Sequence, residues 1–290
     1  MTETVEEDLP MRKRLSGTAL RVATVVPLIP LILFMMFWDP ADLPWWRWVW
    51  HVFILAAIAV GGYEVMAMKV PSSRSLCLWG SISSVAFASS LIFLDSVEQV
   101  YGVVLLLILA TMLLALLRED PLHNASVHIG WSLATPVYVG GTLATVDLVR
   151  DFPPTGAWVL LAFALAWGSD TSAYFFGRKF GKTKLAPRIS PKKTLEGAGA
   201  GLAGSVFCAL VISFFVPALP AVDAIALGVI GGVAGQGGDL FESVLKRSSG
   251  VKDSGGILPG HGGLLDRVDA LVFTAPATWA YGTFIAGFGG

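Results

Sequence analysis

Long apolar runs separated by short polar loops recur along the whole chain. A run of about 18 or more apolar residues is long enough to cross a bilayer as a helix. Reading the chain in windows of this length predicts about nine spans. They lie at residues 19–38, 46–63, 76–94, 99–117, 128–146, 156–176, 197–217, 222–241 and 267–287. The pattern therefore predicts an all-α, polytopic integral membrane protein.

Basic residues are distributed unevenly between the predicted loops. Lys and Arg collect in the cytoplasmic loops of membrane proteins. When the N-terminus is placed in the cytoplasm, only Arg47 and Arg150 of the 20 Lys and Arg residues clearly fall on the outer side. The distribution therefore predicts a multi-pass protein of the cell membrane, with residues 1–18 as a cytoplasmic tail.

The composition agrees with a membrane protein and divides the chain into two parts. Only 14% of the residues are charged, 54% are hydrophobic, and the mean hydropathy is +0.70. Residues 19–150 form plain apolar helices, whereas residues 156–290 carry Gly, Asp, Lys and Ser within and between the spans. We treat residues 1–290 as a single membrane domain with its function in the second part, and we expect no nucleic-acid partner.

Acidic residues within the spans are the first candidates for function. A carboxylate at the centre of a bilayer costs on the order of 2.5–3.5 kcal/mol, so it needs a reason to be there. Asp170 lies in the sixth span, where an acid that hydrogen-bonds to its Ser and Thr neighbours is an equally good interpretation. Asp239 lies near the end of the eighth span and shares a helix face with Glu242, Ser243 and Lys246.

Two further acids begin the ninth span. Asp266 and Asp269 are three residues apart, so both can point the same way from a helix. The positive end of a helix dipole explains one such acid, but not a third that converges from the eighth span. Close carboxylates repel one another unless a cation joins them, and oxygen ligands select a hard ion such as Mg²⁺. We therefore predict a Mg²⁺ site formed by Asp239, Asp266 and Asp269.

A strongly basic loop follows the sixth span. Seven of the residues between 177 and 197 are cationic. Topological retention and attraction to anionic lipid, at about 1 kcal/mol per basic residue, explain part of this charge. The end of the loop also combines hydroxyls, paired lysines and a glutamate, which favours binding of a polyphosphate. The candidates are Ser190, Lys192, Lys193, Thr194 and Glu196.

The segment from Ser243 to Asp269 is identified as similar to the signature of the phosphatidate cytidylyltransferases, the CDP-diacylglycerol synthases. Its sequence is SVLKRSSGVKDSGGILPGHGGLLDRVD. The loop Ser190-Pro-Lys-Lys-Thr-Leu-Glu-Gly197 and the region from Asp170 to Arg178 also resemble that family. The resemblance covers roughly the C-terminal 120 residues and fixes many positions, so it is far more specific than a short glycine motif.

The resemblance implies a reaction and a set of residue roles. The reaction is the transfer of a cytidylyl group from CTP to phosphatidate, giving CDP-diacylglycerol and pyrophosphate, in a Mg²⁺-dependent and often dimeric enzyme. A second cation such as K⁺ is an open possibility. By position, the metal-binding acids are Asp239, Asp266 and Asp269, with Lys246 and Arg247 as further catalytic residues. The substrate contacts are Ser190, Lys192, Lys193, Thr194, Glu196, Lys252, Asp253, His261, Arg267 and Asp170.

Several alternatives remain open from the sequence. His261 lies between glycines and fits a proton shuttle, a phosphate donor or a residue that shapes the loop. Helices interrupted by glycine and acids inside the membrane are also typical of transporters, although the charges here cluster towards one face and no inverted repeat is visible. A related cytidylyltransferase or a lipid kinase with another acceptor fits the same charges.

Overall fold

The structure is a computed structural model that describes residues 29–38, 43, 45–118, 122–257 and 262–288. Its helices are α1 (29–37), α2 (Trp46–Lys69), α3 (Arg74–Phe93), α4 (Val97–Leu116), α5 (Leu122–Thr135), α6 (Thr142–Leu148), α7 (Ala157–Phe180), α8 (Leu195–Ser213), α9 (Ala221–Ser248), α10 (Leu265–Val268) and α11 (Leu271–Phe284). A π-helical segment (Pro136–Gly141) joins α5 to α6, and a 3₁₀ turn (Val149–Asp151) ends α6. The prediction of an all-α membrane protein is confirmed, with one small hairpin added.

Seven helical segments of the described chain are long and apolar enough to cross a membrane. They correspond to the second to eighth predicted spans, with α5, the π-helical segment, α6 and the 3₁₀ turn together forming one segment, Leu122–Asp151. Half of the first predicted span, residues 19–28, lies outside the described residues, and residues 29–37 of its other half form α1. The ninth contains α11, whose 14 residues extend about 21 Å, less than the roughly 30 Å of a hydrocarbon core. The number nine and the orientation therefore stay predictions.

The hairpin lies in the basic loop between α7 and α8. Its antiparallel strands are β1 (Lys184–Ala186) and β2 (Ser190–Thr194), and Lys184 pairs with Thr194. The Thr194 side chain then caps α8 by accepting a hydrogen bond from the Gly197 amide at 3.2 Å. The hairpin thus ends directly at the first turn of a membrane-spanning helix, which fixes where its lysines lie.

The second part of the chain forms a bundle in which α8 packs against α7 and α9, while α11 packs against α9, α7 and α6. The core contains apolar side chains from most of these helices, among them Leu161, Leu165, Leu227 and Leu271. By contrast, α4 buries only Thr111, so its apolar surface lies at the outside of the bundle. This surface suits contact with lipid.

Helices α2 and α3 cross at a pair of glycines. A Cβ atom added to Gly62 would lie 2.5 Å from the carbonyl oxygen of Gly80, and one added to Gly80 would lie 2.7 Å from the carbonyl oxygen of Gly62. Small residues at such a crossing let two backbones approach closely within a membrane. The crossing holds α2 beside the bundle.

Arg47 and Arg150, the two arginines predicted to lie on the outer side, belong to a polar cluster near the first turn of α2. Arg47 pairs with Asp151, and Arg150 is 1% exposed and donates to the Trp38 carbonyl oxygen at 3.2 Å. In the same cluster, His51 Nδ1 lies 2.9 Å from an oxygen of Asp147. The contacts of Arg47 with Asp151 and of Arg150 with the Trp38 carbonyl oxygen compensate the two charges, which explains why cations are tolerated at this end of the bundle.

The glycine crossing gives a first prediction. We expect Gly62→Val to destabilise the protein by about 1–3 kcal/mol, because the added methyl groups overlap the α3 backbone. Gly102→Val is the matched control, because Gly102 is also helical and has open space around its Cβ position. Unfolding in mixed detergent micelles measures both, and equal stability of the two variants would contradict the crossing.

Candidate active site

The inner face of α9 carries the centre of the site. Glu242 is completely buried, and Lys246 lies one turn further along the helix. The Lys246 ammonium donates to Glu242 Oε2 at 2.7 Å and to Asp266 Oδ1 at 2.6 Å. A single cation therefore joins an acid of α9 to an acid of α10. Such charges are stable away from water only when they are paired and hydrogen-bonded.

Asp266 is held on both of its oxygens. Besides the contact with Lys246, its Oδ2 atom accepts hydrogen bonds from the amides of Ser254 and Gly263, each at 2.9 Å, and lies 3.1 Å from Ser254 Oγ. Burial acts to raise the pKa of Asp266, but the hydrogen bonds from Lys246, Gly263 and Ser254 outweigh burial and lower it below its ordinary value. Asp266 is therefore a charged anchor for the loop that precedes it.

An acid of the first half of the chain, Glu64 of α2, also contacts this loop. Glu64 is 5% exposed as a residue. Its carboxylate accepts hydrogen bonds from the amides of Leu264 at 2.9 Å and Leu265 at 3.0 Å and from Ser254 Oγ at 3.1 Å. Sequence reasoning missed Glu64. The signal was available, because an acid at the end of an apolar run draws the same attention as Asp170.

A cavity of about 610 Å³ opens between α7, the hairpin, α8 and α9. Its polar lining residues are Asp170, Tyr174, Arg178, Lys192, Lys193, Thr194, Gln236 and Asp239. Lys193 Nζ of β2 lies 2.5 Å from Asp239 Oδ2 of α9, so an ion pair crosses the cavity from the hairpin to the membrane helices. With three cations and two carboxylates in its lining, the cavity has the chemistry to bind phosphate groups beside a cation.

The carboxylates of the site repel one another. Asp269 interacts unfavourably with Asp239, Glu242 and Asp170, and a Cβ atom on Gly238 would overlap the Asp269 carbonyl oxygen. The Oε1 atom of Glu242 is buried and has no hydrogen-bond partner in the described chain. An all-oxygen donor set with mutual repulsion and an orphaned buried oxygen fits a hard cation. However, within the described ranges, no group of three or more Asp, Glu, His or Cys side chains is arranged so that it could hold a metal ion by itself.

Other sequence candidates have different surroundings. Glu196 accepts hydrogen bonds from the Lys182 and Thr183 amides, at 3.1 and 3.2 Å, and closes the base of the hairpin. Arg247 donates to the Val251 carbonyl oxygen at 3.1 Å and so closes the turn after α9. Exposed positions outside the cavity are occupied by Lys252, Asp253 and Arg267, and Ser190 begins β2. His261 lies outside the described residues.

The fold and site together define an integral membrane protein in which apolar helices surround a cavity of paired cations and carboxylates. A family model matches residues 19–285, and the chain belongs to the cytidylyltransferase family. The resemblance inferred from the signature segment is thereby confirmed.

Named relatives agree with this assignment. A phosphatidate cytidylyltransferase of Staphylococcus epidermidis is 34% identical over 260 residues, which cover 89% of this chain and 96% of that protein. One from Thermotoga maritima is 33% identical over 233 residues, covering 78% and 84%. One from Brucella abortus is 42% identical over 158 residues, and there the match spans 54% of this chain and only 58% of the relative's length.

The ion pairs of Lys246 give a second prediction. Lys246→Met leaves Glu242 and Asp266 without their shared cation, so we expect a loss of stability of about 3–5 kcal/mol. Adding Glu242→Gln removes the uncompensated buried charge, and the double variant should recover part of that loss. Lys252→Met, which removes an exposed cation of the same segment, should change stability by less than about 0.5 kcal/mol. Unfolding in detergent tests the set, and a Lys246→Met variant as stable as Lys252→Met would contradict it.

Proposed function

We propose that the chain is a phosphatidate cytidylyltransferase that makes CDP-diacylglycerol and pyrophosphate from CTP and phosphatidate for phospholipid synthesis. The observation that carries the proposal is the cavity in which Lys193 and Asp239 pair between the basic hairpin and α9. The names of the relatives from Staphylococcus and Thermotoga support the choice of substrates. Both substrates are anions, and the cavity supplies the cations that they need.

Charge neutralisation is the main task of such a site. A phosphate monoester must approach a nucleoside triphosphate against strong repulsion, so cations have to lie on both groups. In the proposal, Lys192, Lys193 and Arg178 bind phosphate groups from the cavity wall. In the proposal, Lys193 exchanges the Asp239 carboxylate for a substrate phosphate, because its flexible side chain already places its ammonium in the cavity.

The proposed transfer needs no strong base in the protein. An oxygen of the phosphatidate phosphate attacks the α-phosphorus of CTP, the bond between the α- and β-phosphates breaks, and pyrophosphate leaves. The attacking phosphate is already largely ionised at neutral pH, since its second pKa is about 6. The residues of the chain therefore orient the two phosphates and stabilise charge, and His261 has no necessary role as a base.

We further propose that Asp239 and Asp269, with Asp266 beside them, hold Mg²⁺. When bound, this ion would stabilise the charge that develops on the phosphate oxygens. Both oxygens of Asp266 already accept hydrogen bonds, so it contributes directly only if Lys246 releases Oδ1. Substrate oxygens or water would complete the ligand set, as is usual for Mg²⁺. A second cation such as K⁺ belongs to the same proposal, near the orphaned oxygen of Glu242.

We also propose which end of the helix bundle faces the cytoplasm. Lys69, Lys193 and Lys246 lie at the end of the bundle opposite Arg47, which favours this end as the cytoplasmic face. CTP would then enter the cavity from the cytoplasm and phosphatidate from the inner leaflet of the plasma membrane. A homodimer is also part of the proposal, by analogy with the family resemblance.

The role of Asp239 gives a third prediction. We expect Asp239→Asn to reduce kcat by at least about a hundredfold, because the variant loses the charge that pairs with Lys193 and repels Asp269. Asp223→Asn is the matched control, since Asp223 lies on the same helix near its other end and pairs with Tyr281. The measurement is transfer of labelled cytidine from CTP into the lipid phase. Equal turnover by the two variants would remove Asp239 from the site.

The hairpin lysines give a fourth prediction. Lys193→Gln should raise the KM for CTP by about tenfold or more, because a hydrogen bond to a charged phosphate contributes about 1.5–3 kcal/mol. Lys184→Gln should leave KM nearly unchanged, because Lys184 lies on β1 outside the cavity lining. Steady-state kinetics with varied CTP measure both. The prediction fails if the two lysines have the same effect.

A further inference from the structure

Glu64 belongs to the first half of the chain but contacts residues between α9 and α10. Here the loop means the described residues of that connection, 249–257 and 262–264. Glu64 lies in α2, far from the loop in sequence, yet its two oxygens accept from two adjacent amides, those of Leu264 and Leu265, and from the Ser254 hydroxyl. Leu265 begins α10, which carries Asp266. The carboxylate therefore fixes both the approach to α10 and its first residue.

Two glycines of the loop pack directly against the Glu64 carboxylate. A Cβ atom added to Gly255 would lie 2.6 Å from Glu64 Oε1, and one added to Gly263 would lie 2.7 Å from the same oxygen. Side chains at either position would push the loop away from α2. Two neighbouring glycines thus make room for one oxygen of Glu64, which indicates a specific contact and not an accidental approach.

Ser254 links Glu64 to the acid of the site. Its hydroxyl lies 3.1 Å from Glu64 Oε2 and also 3.1 Å from Asp266 Oδ2, so its single proton can be donated to either acid. Its amide donates to Asp266 at 2.9 Å. Displacement of the loop would therefore move the donors that hold Asp266 against Lys246.

A second contact of α2 strengthens this arrangement. Lys69, five residues after Glu64, donates to the Leu245 carbonyl oxygen at 3.0 Å and to Ser248 Oγ at 2.5 Å. These acceptors lie in the last turn of α9, on either side of Lys246 in sequence. Helix α2 thus contacts both the end of α9 and the start of α10, the two elements that the Lys246–Asp266 pair joins.

We propose that Glu64 is a positioning residue for the transfer reaction. It holds Ser254, Leu264 and Leu265, so that Asp266 contacts Lys246 and Asp269 keeps its position after α10. The proposal rests on the proposed function for its effect on turnover. It assigns a role in the reaction to the first half of the chain. Glu64 lies outside the lining of the cavity, so it acts through Asp266 and does not touch the nucleotide.

The charge-neutral variant Glu64→Gln tests the role with little change in size. In the wild type, one oxygen of Glu64 accepts from the Leu264 amide and the other from the Leu265 amide. Glutamine has only one acceptor oxygen, and its NH₂ group cannot accept, so one of these two hydrogen bonds must break. We expect hydrogen exchange of the peptide that contains these two amides to rise about tenfold to a hundredfold, the scale set by hydrogen bonds to charged groups. Exchange in α3, α4 and the middle of α9 should stay unchanged.

The kinetic expectation separates positioning from binding. In Glu64→Gln, kcat should fall about tenfold to a hundredfold, while the KM for CTP should change by less than about threefold, because the cavity is untouched. Ser254→Ala should give a smaller fall of the same kind. Glu98→Gln is the matched control, since Glu98 is an exposed acid of α4, and it should change neither exchange nor turnover.

The outcomes distinguish this proposal from the proposed function. A wild-type chain that transfers no cytidine to lipid would overturn the function, whereas the exchange measurement would still test the contact of Glu64 with the loop. Unchanged exchange in Glu64→Gln overturns the positioning role. Increased exchange with unchanged turnover in an active enzyme also overturns it, and so does a uniform rise in exchange across all helices, which would indicate a general loss of the fold.

Discussion

The candidate active site depends on the hydrogen-bonded ion pairs around Lys246. Charged side chains at the end of an apolar bundle are stable only when their charges and lone pairs find partners. Lys246 joins Glu242 to Asp266, and the other oxygen of Asp266 accepts from the loop that follows α9. The positions of α9, α10 and that loop are therefore set together.

The cavity is connected to this cluster through Asp239. On one side Asp239 pairs with Lys193 of the hairpin, and on the other it lies close enough to Asp269 for the two acids to repel. The hairpin ends at the cap of α8, so the lysines that face the cavity are fixed to a membrane helix rather than to a free loop. This arrangement brings cations and acids together in one cavity, which is what the proposed joining of two phosphate-bearing substrates requires.

Much of the fold followed from the sequence, because hydropathy and helical spacing are strong signals in a membrane protein. Seven predicted spans correspond to helical segments, and the shared face of Asp239, Glu242 and Lys246 was expected from their spacing. The hairpin was not predicted, since its strands are short and contain Lys and Pro, which are rare in strands. The position of Glu64 at the end of an apolar run could have marked it as a candidate. Its partners, and the break between α10 and α11, depend on contacts between residues distant in sequence, which local patterns do not reveal.

The most direct test of the proposed chemistry follows the separate phosphates of CTP. Purified protein in detergent is given phosphatidate, Mg²⁺ and CTP labelled with ³²P at either the α- or the γ-phosphate. Cytidylyl transfer predicts that label from the α-phosphate enters the lipid and that label from the γ-phosphate is released as pyrophosphate. Label from the γ-phosphate in the lipid would instead indicate a lipid kinase, and no lipid label from either position would contradict the account.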